Sequence, residues 1–259
     1  MKSLKQRLLP KISQLLNKNK PILFDDDVFL ISYPKSGNTW VRFLFANLLK
    51  KDASEEVNFH NVHQYCQELE SQNQKIDDLP RPRIIKSHQS YNPSFPRVIY
   101  IARDCRDVYV SYYHYVKNTI PADWSFKDFI EKYDFPYGYW NQHVSSWTGS
   151  KTRNSENFKT VFYEDLLENT FSTFSEMVTF SGLASTTTQI QQAVENSTFS
   201  AMKAIEKKHG RKFSSHDNAE NFVRSGKAKQ WIHYFGSEEL KILETRGEFE
   251  VLSSLGYSV

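Results

Sequence analysis

The stretch Val28-Phe-Leu-Ile-Ser-Tyr-Pro-Lys-Ser-Gly-Asn-Thr-Trp40, followed by Val41-Arg-Phe-Leu-Phe-Ala-Asn-Leu-Leu49, decides the fold predicted for this chain. An apolar run typical of a buried strand leads into a short proline and glycine turn, and an apolar helical pattern follows. The turn places backbone N–H groups, hydroxyls and the cation Lys35 at a helix N-terminus, which is a phosphate-binding arrangement. In the ATP-binding kinase loop the lysine directly follows the last glycine, whereas Lys35 precedes Gly37. The sequence therefore predicts a P-loop-like phosphate-binding turn of a different kind.

Length, composition and charge narrow the class of protein. The chain has 259 residues, a length that commonly forms one α/β unit, so a single domain over 1–259 is expected. A net charge of +3 is too small to indicate nucleic acid and fits a local cationic pocket for an anionic ligand. Cys66 and Cys105 form no disulfide framework, which predicts a reducing, cytoplasmic location. No apolar run is long enough for an integral membrane segment.

Two stretches stand apart from the rest of the chain. Residues 1–24 form a basic segment without acidic residues, with leucine and isoleucine at helical spacing. We expect an amphipathic helix packed on the domain, with an organellar transit peptide or a membrane-surface helix as alternatives. Residues 206–219 contain few aliphatic side chains and are predicted to form a mobile loop.

Strand-like apolar runs alternate with helical patterns along the chain. Strands are predicted at Val28–Tyr33, Arg83–Ser87, Arg97–Arg103 and Lys159–Tyr163. Helices are predicted at Asn38–Leu49, Asp104–Val116, Trp124–Tyr133, Gly138–Trp147 and Thr170–Ser181. Short hydrophobic strands separated by helices indicate an α/β fold with a central parallel sheet flanked by helices.

Polar clusters follow three of these strands, at Lys35, at Ser87–His88 and at Arg103. Ligands bind at the carboxyl ends of the strands in open α/β sheets, so we expect the three clusters at one edge. Lys35 can bind a phosphate and stabilise charge on a leaving phosphate, and Arg103 can grip a phosphate with two hydrogen bonds. Ser111, two helical turns after Arg103, can donate a hydroxyl hydrogen bond.

Two further clusters carry candidate chemistry. Lys86 and His88 point to the same side of an extended segment, and His88 is a candidate general base. Arg224, Gly226 and Lys227 belong to a basic segment that is either a second anion-binding loop or a solvated surface. No spacing of histidine, cysteine and carboxylate residues indicates a metal site.

Together these residues resemble the PAPS-dependent sulfotransferases, particularly the cytosolic type that acts on small molecules, from about Phe24 to Phe235. PAPS is 3′-phosphoadenosine-5′-phosphosulfate. By this resemblance, the 5′ end of the nucleotide is held by Lys35, Ser36, Gly37, Asn38 and Thr39. The resemblance also implies that Trp40 packs on adenine, that Arg103 and Ser111 contact the 3′-phosphate, and that His88 is the catalytic base.

The resemblance extends to later segments of the chain. It implies that the adenine is bordered by Tyr163 and clamped by Ser197, Phe199 and Met202. It also implies that a loop closes over the 3′-phosphate, formed by Arg224, Ser225 and Gly226 with Trp231. Ser225 stands where the family has lysine, so one charge is missing there, with Lys227 as the residue that can compensate. Ile232 and Gly236-Ser237 depart from the family's dimer-forming segment, so a monomer or weak dimer is expected.

The implied reaction moves a sulfuryl group from PAPS to a hydroxyl or amine of a small-molecule acceptor and releases 3′,5′-bisphosphoadenosine. His88 would remove the acceptor proton, Lys35 would stabilise the departing 5′-phosphate, and Lys86 would hold the sulfuryl oxygens. The two lysines and the helix end supply positive charge, so no metal is expected. The alternatives are a P-loop nucleotide or small-molecule kinase, which the lysine order disfavours, and a non-catalytic nucleotide-binding module.

The acceptor is expected to be either ring-bearing or cationic. The abundance of aromatic residues, at 15% of the chain, favours a ring, with His143 or Tyr139 in the pocket wall. A cationic natural product would instead meet acidic residues, for which the candidates are Asp134, Asp123 and Glu131.

Overall fold

The computed structural model describes residues 21–71, 76–149, 155–211 and 223–259. Its sheet contains parallel strands in the order β2-β3-β1-β4-β5. The strands are β1 (Val28–Ser32), β2 (Cys66–Glu68), β3 (Ile84–Ser87), β4 (Arg97–Ala102) and β5 (Phe158–Phe162). The predicted α/β fold with a central parallel sheet is confirmed. Strand β1 is the middle strand, so the turn after it emerges at the centre of the carboxyl edge.

Helices cover the sheet on both faces. They are α1 (Asn38–Leu49), α2 (Cys105–Val116), α3 (Phe126–Lys132), α4 (Trp140–Thr148), α5 (Tyr163–Glu168), α6 (Thr170–Ser181), α7 (Thr187–Glu195), α8 (Phe199–His209), α9 (Ser237–Thr245) and α10 (Glu248–Ser254). Short 3₁₀ helices lie at Val62–Gln64, Ile76–Asp78 and Gln230–His233. Among the described residues, no helix is both long and apolar enough to cross a membrane.

Strand β1 is buried on both faces, which explains its continuous apolar sequence. Its alternate residues enter two different cores. Phe29 and Ile31 pack in the core beneath α2 and α4, whereas Val28 and Leu30 pack in the core beneath α1 and α6. The strand is therefore held from both sides, and the turn that follows it has a rigid base.

Most predicted elements are confirmed, with Asn38–Leu49 and Thr170–Ser181 observed at the predicted bounds. The three-residue edge strand β2 was not predicted, because Cys66–Glu68 has no apolar alternation. Of the predicted loop 206–219, residues 206–209 instead form the last turn of α8. The remainder of that loop from 212 onward lies outside the described residues, as do residues 1–20 of the basic N-terminal segment.

Candidate active site

A cavity of about 1400 Å³ lies at the carboxyl edge of the sheet. Typical small-molecule pockets have about 300–1,000 Å³, so this cavity has room for two molecules side by side. The predicted site residues that line it are Lys35, Gly37, Asn38, Thr39, Trp40, Lys86, His88, Arg103, Ser111, Tyr163, Phe199, Met202, Arg224, Ser225 and Gly226. Among the residues that the structure describes, the predicted Ser36, Ser197 and Trp231 do not line it. The fold thus brings nearly the whole predicted set into one cavity.

The turn between β1 and α1 has an unusual backbone. Lys35 and Gly37 both adopt left-handed conformations, with φ of 73° and 100°. A side chain at Gly37 would also collide with Tyr163, because an added Cβ would lie 2.5 Å from its Cδ2 atom. Strained backbone of this kind concentrates at functional sites. The turn therefore requires glycine for its conformation and for the close approach of Tyr163.

Several buried polar atoms in and behind this turn have no hydrogen-bond partner within the described part of the chain. They are Oγ of Ser36, Oδ1 of Asn38 and Nε of Arg103. Buried polar atoms are nearly always hydrogen-bonded, and exceptions call for a ligand or water. Asn38 and Arg103 line the cavity, so its wall is polar at this turn.

Lys35 lies at the centre of a strongly cationic region. Its ammonium is 4.2 Å from the centre of the Tyr115 ring. Burial, followed by the positive charges of Arg211, Arg103 and Arg224, lowers the pKa of Lys35 to about 7. An anion bound among these residues would offset both effects, because opposite charge favours the protonated lysine. The positive charge at this end of the cavity favours an anionic ligand.

Arg103 joins two loops that are distant in sequence. Its guanidinium donates to the carbonyl oxygen of Lys35 at 3.1 Å and to that of Lys227 at 3.3 Å. The guanidinium also lies 4.2 Å from the centre of the Tyr163 ring. Ser111, on α2, lines the same cavity. Arg103 therefore fixes the anion-binding turn and the later basic loop relative to each other.

Some of the predicted adenine-binding residues line the cavity, and one of them lies behind its wall. Phe199 and Met202 line the cavity directly, as does Trp40. The Trp40 indole N–H donates to the carbonyl oxygen of Ser197 at 2.8 Å. The Ser197 hydroxyl oxygen accepts from the Asn47 amide at 3.0 Å and is buried. In this structure Ser197 supports the Trp40 ring from behind.

The His88 ring is held in one tautomer. Its Nδ1 lies 2.7 Å from the carbonyl oxygen of Ser32, which can only accept, so Nδ1 carries the proton. The lone pair therefore lies on Nε2. Burial and the nearby charge of Lys86 hold the pKa of His88 well below its usual 6.5. The imidazole is neutral near pH 7, the form required of a general base. Its ring meets Tyr137 edge-on, with centres 5.4 Å apart.

Two carboxylates beside this histidine were not anticipated. Glu68 forms an ion pair with the Lys86 ammonium, and Glu70 accepts from the Ser87 hydroxyl and from the backbone N–H of His88. Burial lowers the pKa of Lys86, and the charge of Glu68 opposes that shift. Both carboxylates belong to or follow the short strand β2. Its sequence gave no strand signal, so their position beside His88 could not be inferred.

Tyrosine rings form the wall next to His88. Tyr112, Tyr115, Tyr133 and Tyr137 all line the cavity, together with Pro136. The centres of the Tyr112 and Tyr133 rings are 5.7 Å apart, and those of Tyr112 and Tyr115 are 6.4 Å apart. This side of the cavity is therefore aromatic, and it meets the cationic side at Tyr115, whose ring contacts the Lys35 ammonium.

The residues predicted for this wall were wrong. Within the described structure, His143 and Tyr139 do not line the cavity. His143 is fully buried between the Tyr100 hydroxyl, at 3.0 Å, and the His88 carbonyl oxygen, at 2.9 Å. Tyr139 instead packs beneath the guanidinium of Arg246, at 4.2 Å.

Acidic residues do line the cavity, but they are not the predicted ones. Glu68, Glu70 and Asp78 line the cavity, whereas the described Asp134, Asp123 and Glu131 do not. Burial, then the charges of Glu70 and Glu68, raises the pKa of Tyr137 to about 12, so these carboxylates lie close to the tyrosine wall. Among the described residues, no group of histidine, cysteine and carboxylate side chains is arranged to hold a metal.

Comparison with known proteins identifies the class. The family model described as "Sulfotransferase domain" matches residues 25–248, which is most of the chain. The chain therefore belongs to the sulfotransferase family, and the family predicted from the sequence is confirmed. Membership in this family also disfavours the kinase alternative.

Individual relatives agree with this assignment. Sulfotransferase 1E1 of Bos taurus is 30% identical over 197 residues, covering 69% of this chain and 66% of the relative. Sulfotransferase 2B1 of Mus musculus is 28% identical over 240 residues, covering 85% of this chain and 70% of the relative. The chain thus spans about two thirds of the length of these relatives. The structure of retinol dehydratase in complex with androsterone and the inactive cofactor PAP has a TM-score of 0.69 at 23% identity. The match covers 93% of this chain and 84% of the retinol dehydratase chain, and it shows that the two proteins share a fold.

Proposed function

We propose that this protein transfers a sulfuryl group from PAPS to a hydroxyl or amine of a small-molecule acceptor, releasing 3′,5′-bisphosphoadenosine (PAP). The proposal rests on one observation: a cationic side and an aromatic side with a neutral histidine face the same cavity. One side gathers Lys35, Arg103 and Arg224, and the other presents His88 with its lone pair on Nε2. A donor that carries the negative charges of both a phosphosulfate and a 3′-phosphate requires the first environment, and a nucleophile that must lose a proton requires the second. Family membership supports the same reaction.

The cationic side fits the donor nucleotide. Lys35 and the N-terminus of α1 would hold the 5′-phosphosulfate. Arg103, Ser111 and Arg224 would hold the 3′-phosphate, since guanidinium groups bind phosphate in bidentate fashion. The retinol dehydratase structure contains PAP, which supports a site for this nucleotide in the shared fold.

The adenine would lie among apolar side chains of the same cavity. Trp40, Tyr163, Phe199 and Met202 line it and offer two faces for a planar base. The bond from the Trp40 indole to Ser197 fixes that ring before the nucleotide arrives. Prior fixation lowers the entropy lost on binding.

Proton and charge movements then follow from the residues present. Nε2 of His88 accepts the acceptor proton as the acceptor oxygen or nitrogen bonds to sulfur. The bond between sulfur and the bridging 5′-phosphate oxygen breaks, and Lys35 with the α1 N-terminus stabilises the charge that develops on that oxygen. The pairing with Glu68 favours the protonated form of Lys86, and we propose that this ammonium helps to hold the sulfuryl oxygens. The two lysines and the helix end supply the positive charge, so no metal is proposed.

A ring-bearing acceptor is the first candidate for the aromatic side. Tyr112, Tyr133 and Tyr137 present ring surfaces beside His88, and such surfaces favour planar or fused-ring molecules. The androsterone in the retinol dehydratase structure supports this class. Glu68 and Glu70 lie on the same side, so a hydroxyl or amine acceptor that also carries a positive charge is the second candidate.

We further propose a single domain located in the cytoplasm, as a monomer or weak dimer. Cys66 and Cys105 are both free and buried, which supports a reducing compartment. Ile232, at the segment that departs from the family's dimer pattern, is 58% exposed. Size-exclusion chromatography with light scattering would measure the oligomeric state directly.

The first experiment compares calorimetric binding of PAP and of ATP with Mg²⁺. We expect tight, metal-independent binding of PAP that Arg103→Ala weakens. Arg81→Ala is the matched control, because Arg81 is exposed and paired with Asp26. Turnover of PAPS is then measured with a phenol, a steroid alcohol and a hydroxylated guanidinium compound. Preference for ATP with Mg²⁺, or PAP binding without turnover of any acceptor class, would contradict the proposal.

A further inference from the structure

The basic loop 224–229 is anchored to helix α2 by one carboxylate. Asp107, which is 2% exposed, accepts hydrogen bonds from the backbone N–H of Lys229 at 2.7 Å and of Trp231 at 3.0 Å. Lys229 adopts a left-handed conformation with φ of 59°, which is uncommon for a residue with a side chain. The chain is therefore bent sharply and held on both sides of Gln230.

This anchoring directs the side chain of Gln230 toward the loop. Its Oε1 accepts from Nη2 of Arg224 at 2.7 Å, and its Nε2 donates to the Ser225 hydroxyl oxygen. Arg224 and Ser225 line the cavity, whereas Gln230, among the described residues, does not. Gln230 thus contacts two cavity residues from behind.

We propose that Gln230 is a positioning residue that pre-organises Arg224 and Ser225 for the 3′-phosphate of the nucleotide. The inference rests on the proposed function, because it concerns the donor side of that site. An arginine side chain loses considerable rotamer freedom on binding. Gln230 holds the guanidinium in place beforehand, which lowers that loss.

The chemical type of this residue matters. An amide accepts from the guanidinium without carrying charge, so the full positive charge of Arg224 stays available to an anion. A carboxylate at the same position would pair with Arg224 and oppose a phosphate. Ser225, which stands where the resembling family has lysine, receives an N–H from the same amide. Its hydroxyl hydrogen is therefore left to donate to another acceptor.

The remainder of the loop is held by independent contacts. An added Cβ at Gly226 would lie 2.5 Å from Cδ2 of Phe199, so the loop packs directly on that ring. The carbonyl oxygen of Lys227 accepts from Arg103 at 3.3 Å. Removal of the Gln230 amide should therefore leave the loop in place and release only the orientation of Arg224 and Ser225.

The test compares PAP with adenosine 5′-monophosphate, which lacks the 3′-phosphate, by calorimetry. We expect Gln230→Ala to weaken PAP by about tenfold, equal to about 1.4 kcal/mol, and to change the monophosphate by less than about twofold. Gln230→Glu, which preserves size, should weaken PAP further. Gln191→Ala is the control, because Gln191 is an exposed glutamine on α7 that contacts Glu195.

A mutant cycle then separates positioning from a general effect on the loop. If Gln230 acts through Arg224 and Ser225, adding Gln230→Ala to a protein that already carries Arg224→Ala and Ser225→Ala should change its PAP affinity by less than about twofold. Three results would overturn the role of Gln230 without affecting the proposed function. They are additive losses of PAP affinity in the cycle, an equal loss of affinity for the monophosphate, and a Gln230→Ala protein with unchanged PAP affinity. Wild-type protein that fails to bind PAP would instead overturn the proposed function, and the assignment with it.

Discussion

Nδ1 of His88 lies 2.7 Å from the carbonyl oxygen of Ser32, the last residue of the central strand. The same strand leads directly into the turn that carries Lys35. The candidate base and the candidate leaving-group lysine are therefore both positioned by the end of β1. A rigid strand buried on both faces suits this role, because an error of about 1 Å in a catalytic group can cost about 10²-fold in rate.

Replacing His88 with alanine should separate chemistry from binding. We expect turnover of PAPS to fall by about 10²–10⁴-fold, the usual contribution of a general base. The affinity for PAP should change by less than about twofold, because His88 faces the acceptor side. Steady-state kinetics and calorimetry measure the two quantities. His60→Ala, an exposed histidine, is the control, and a His88→Ala protein that loses PAP binding would contradict the assigned role.

Nucleotide binding should be coupled to protonation of Lys35. The pKa of Lys35 is lowered to about 7 in the absence of an anion, and a bound anion raises it again. Above pH 7 the lysine must therefore take up a proton when the nucleotide binds, and affinity should fall by up to about tenfold per pH unit. Calorimetry in buffers of different ionisation enthalpy measures this uptake. It should disappear in Lys35→Arg, and a PAP affinity independent of pH between 7 and 8.5 would be inconsistent with this coupling.

Substitution of Gly37, in the turn after β1, should weaken PAP binding more than substitution of a left-handed glycine that has no close neighbour. Gly37 and Gly247 are both left-handed, with φ of 100° and 77°. An added Cβ at Gly37 would lie 2.5 Å from Tyr163, whereas in the described structure an added Cβ at Gly247 would meet Glu250 at 3.5 Å and Asn141 at 3.9 Å, which are ordinary contact distances. Gly247→Ala should therefore cost only backbone strain, about 1–2 kcal/mol of unfolding free energy. Gly37→Ala must also displace Tyr163, and we expect at least tenfold weaker PAP binding. Equal PAP affinities of the two variants would argue against a constrained turn.

The buried carboxyl of Glu248 should make stability depend on pH. Burial raises the pKa of Glu248 to about 7, and the Tyr109 hydroxyl donates to it. Since the folded pKa lies above the unfolded one, this stability is fully present below about pH 4.5 and is lost as pH rises through 7. The loss by pH 8 should reach about 1–3 kcal/mol. Urea unfolding of wild type and of Glu248→Gln between pH 5 and 8 measures it, and parallel pH dependences of the two would refute the expectation.

The fold could be predicted because its decisive signals are local. Helix α6 begins after Asn169, whose side chain accepts from Ser172 N–H, and ends before Gly182 in a left-handed conformation. Both are sequence-readable helix signals. Strand β2 has no such signal, because it depends on pairing with β3. Because strand β2 was not predicted, the positions of Glu68 and Glu70 next to Lys86 and His88 could not be predicted either.

The donor side of the cavity could be predicted from the sequence, whereas the acceptor side could not. Lys35, Gly37 and Arg103 belong to compact motifs that a sequence displays directly. The tyrosine wall is assembled from α2 and from the segment after α3, so only the folded chain reveals it. Ser197 was predicted to contact the adenine, and it does lie behind the predicted Trp40. Its hydroxyl, however, accepts a hydrogen bond from Asn47, a residue far away in sequence.

The gathering of arginines around Lys35 also has a kinetic consequence. A concentration of like charge in a concave site attracts an oppositely charged molecule over distances near the Debye length, about 8 Å at physiological ionic strength. The encounter rate of the anionic nucleotide should therefore fall steeply as salt increases, whereas that of an uncharged ring-bearing acceptor should not. The same field slows the escape of the nucleotide product, so its departure, more than the transfer itself, is expected to limit the catalytic cycle at low ionic strength.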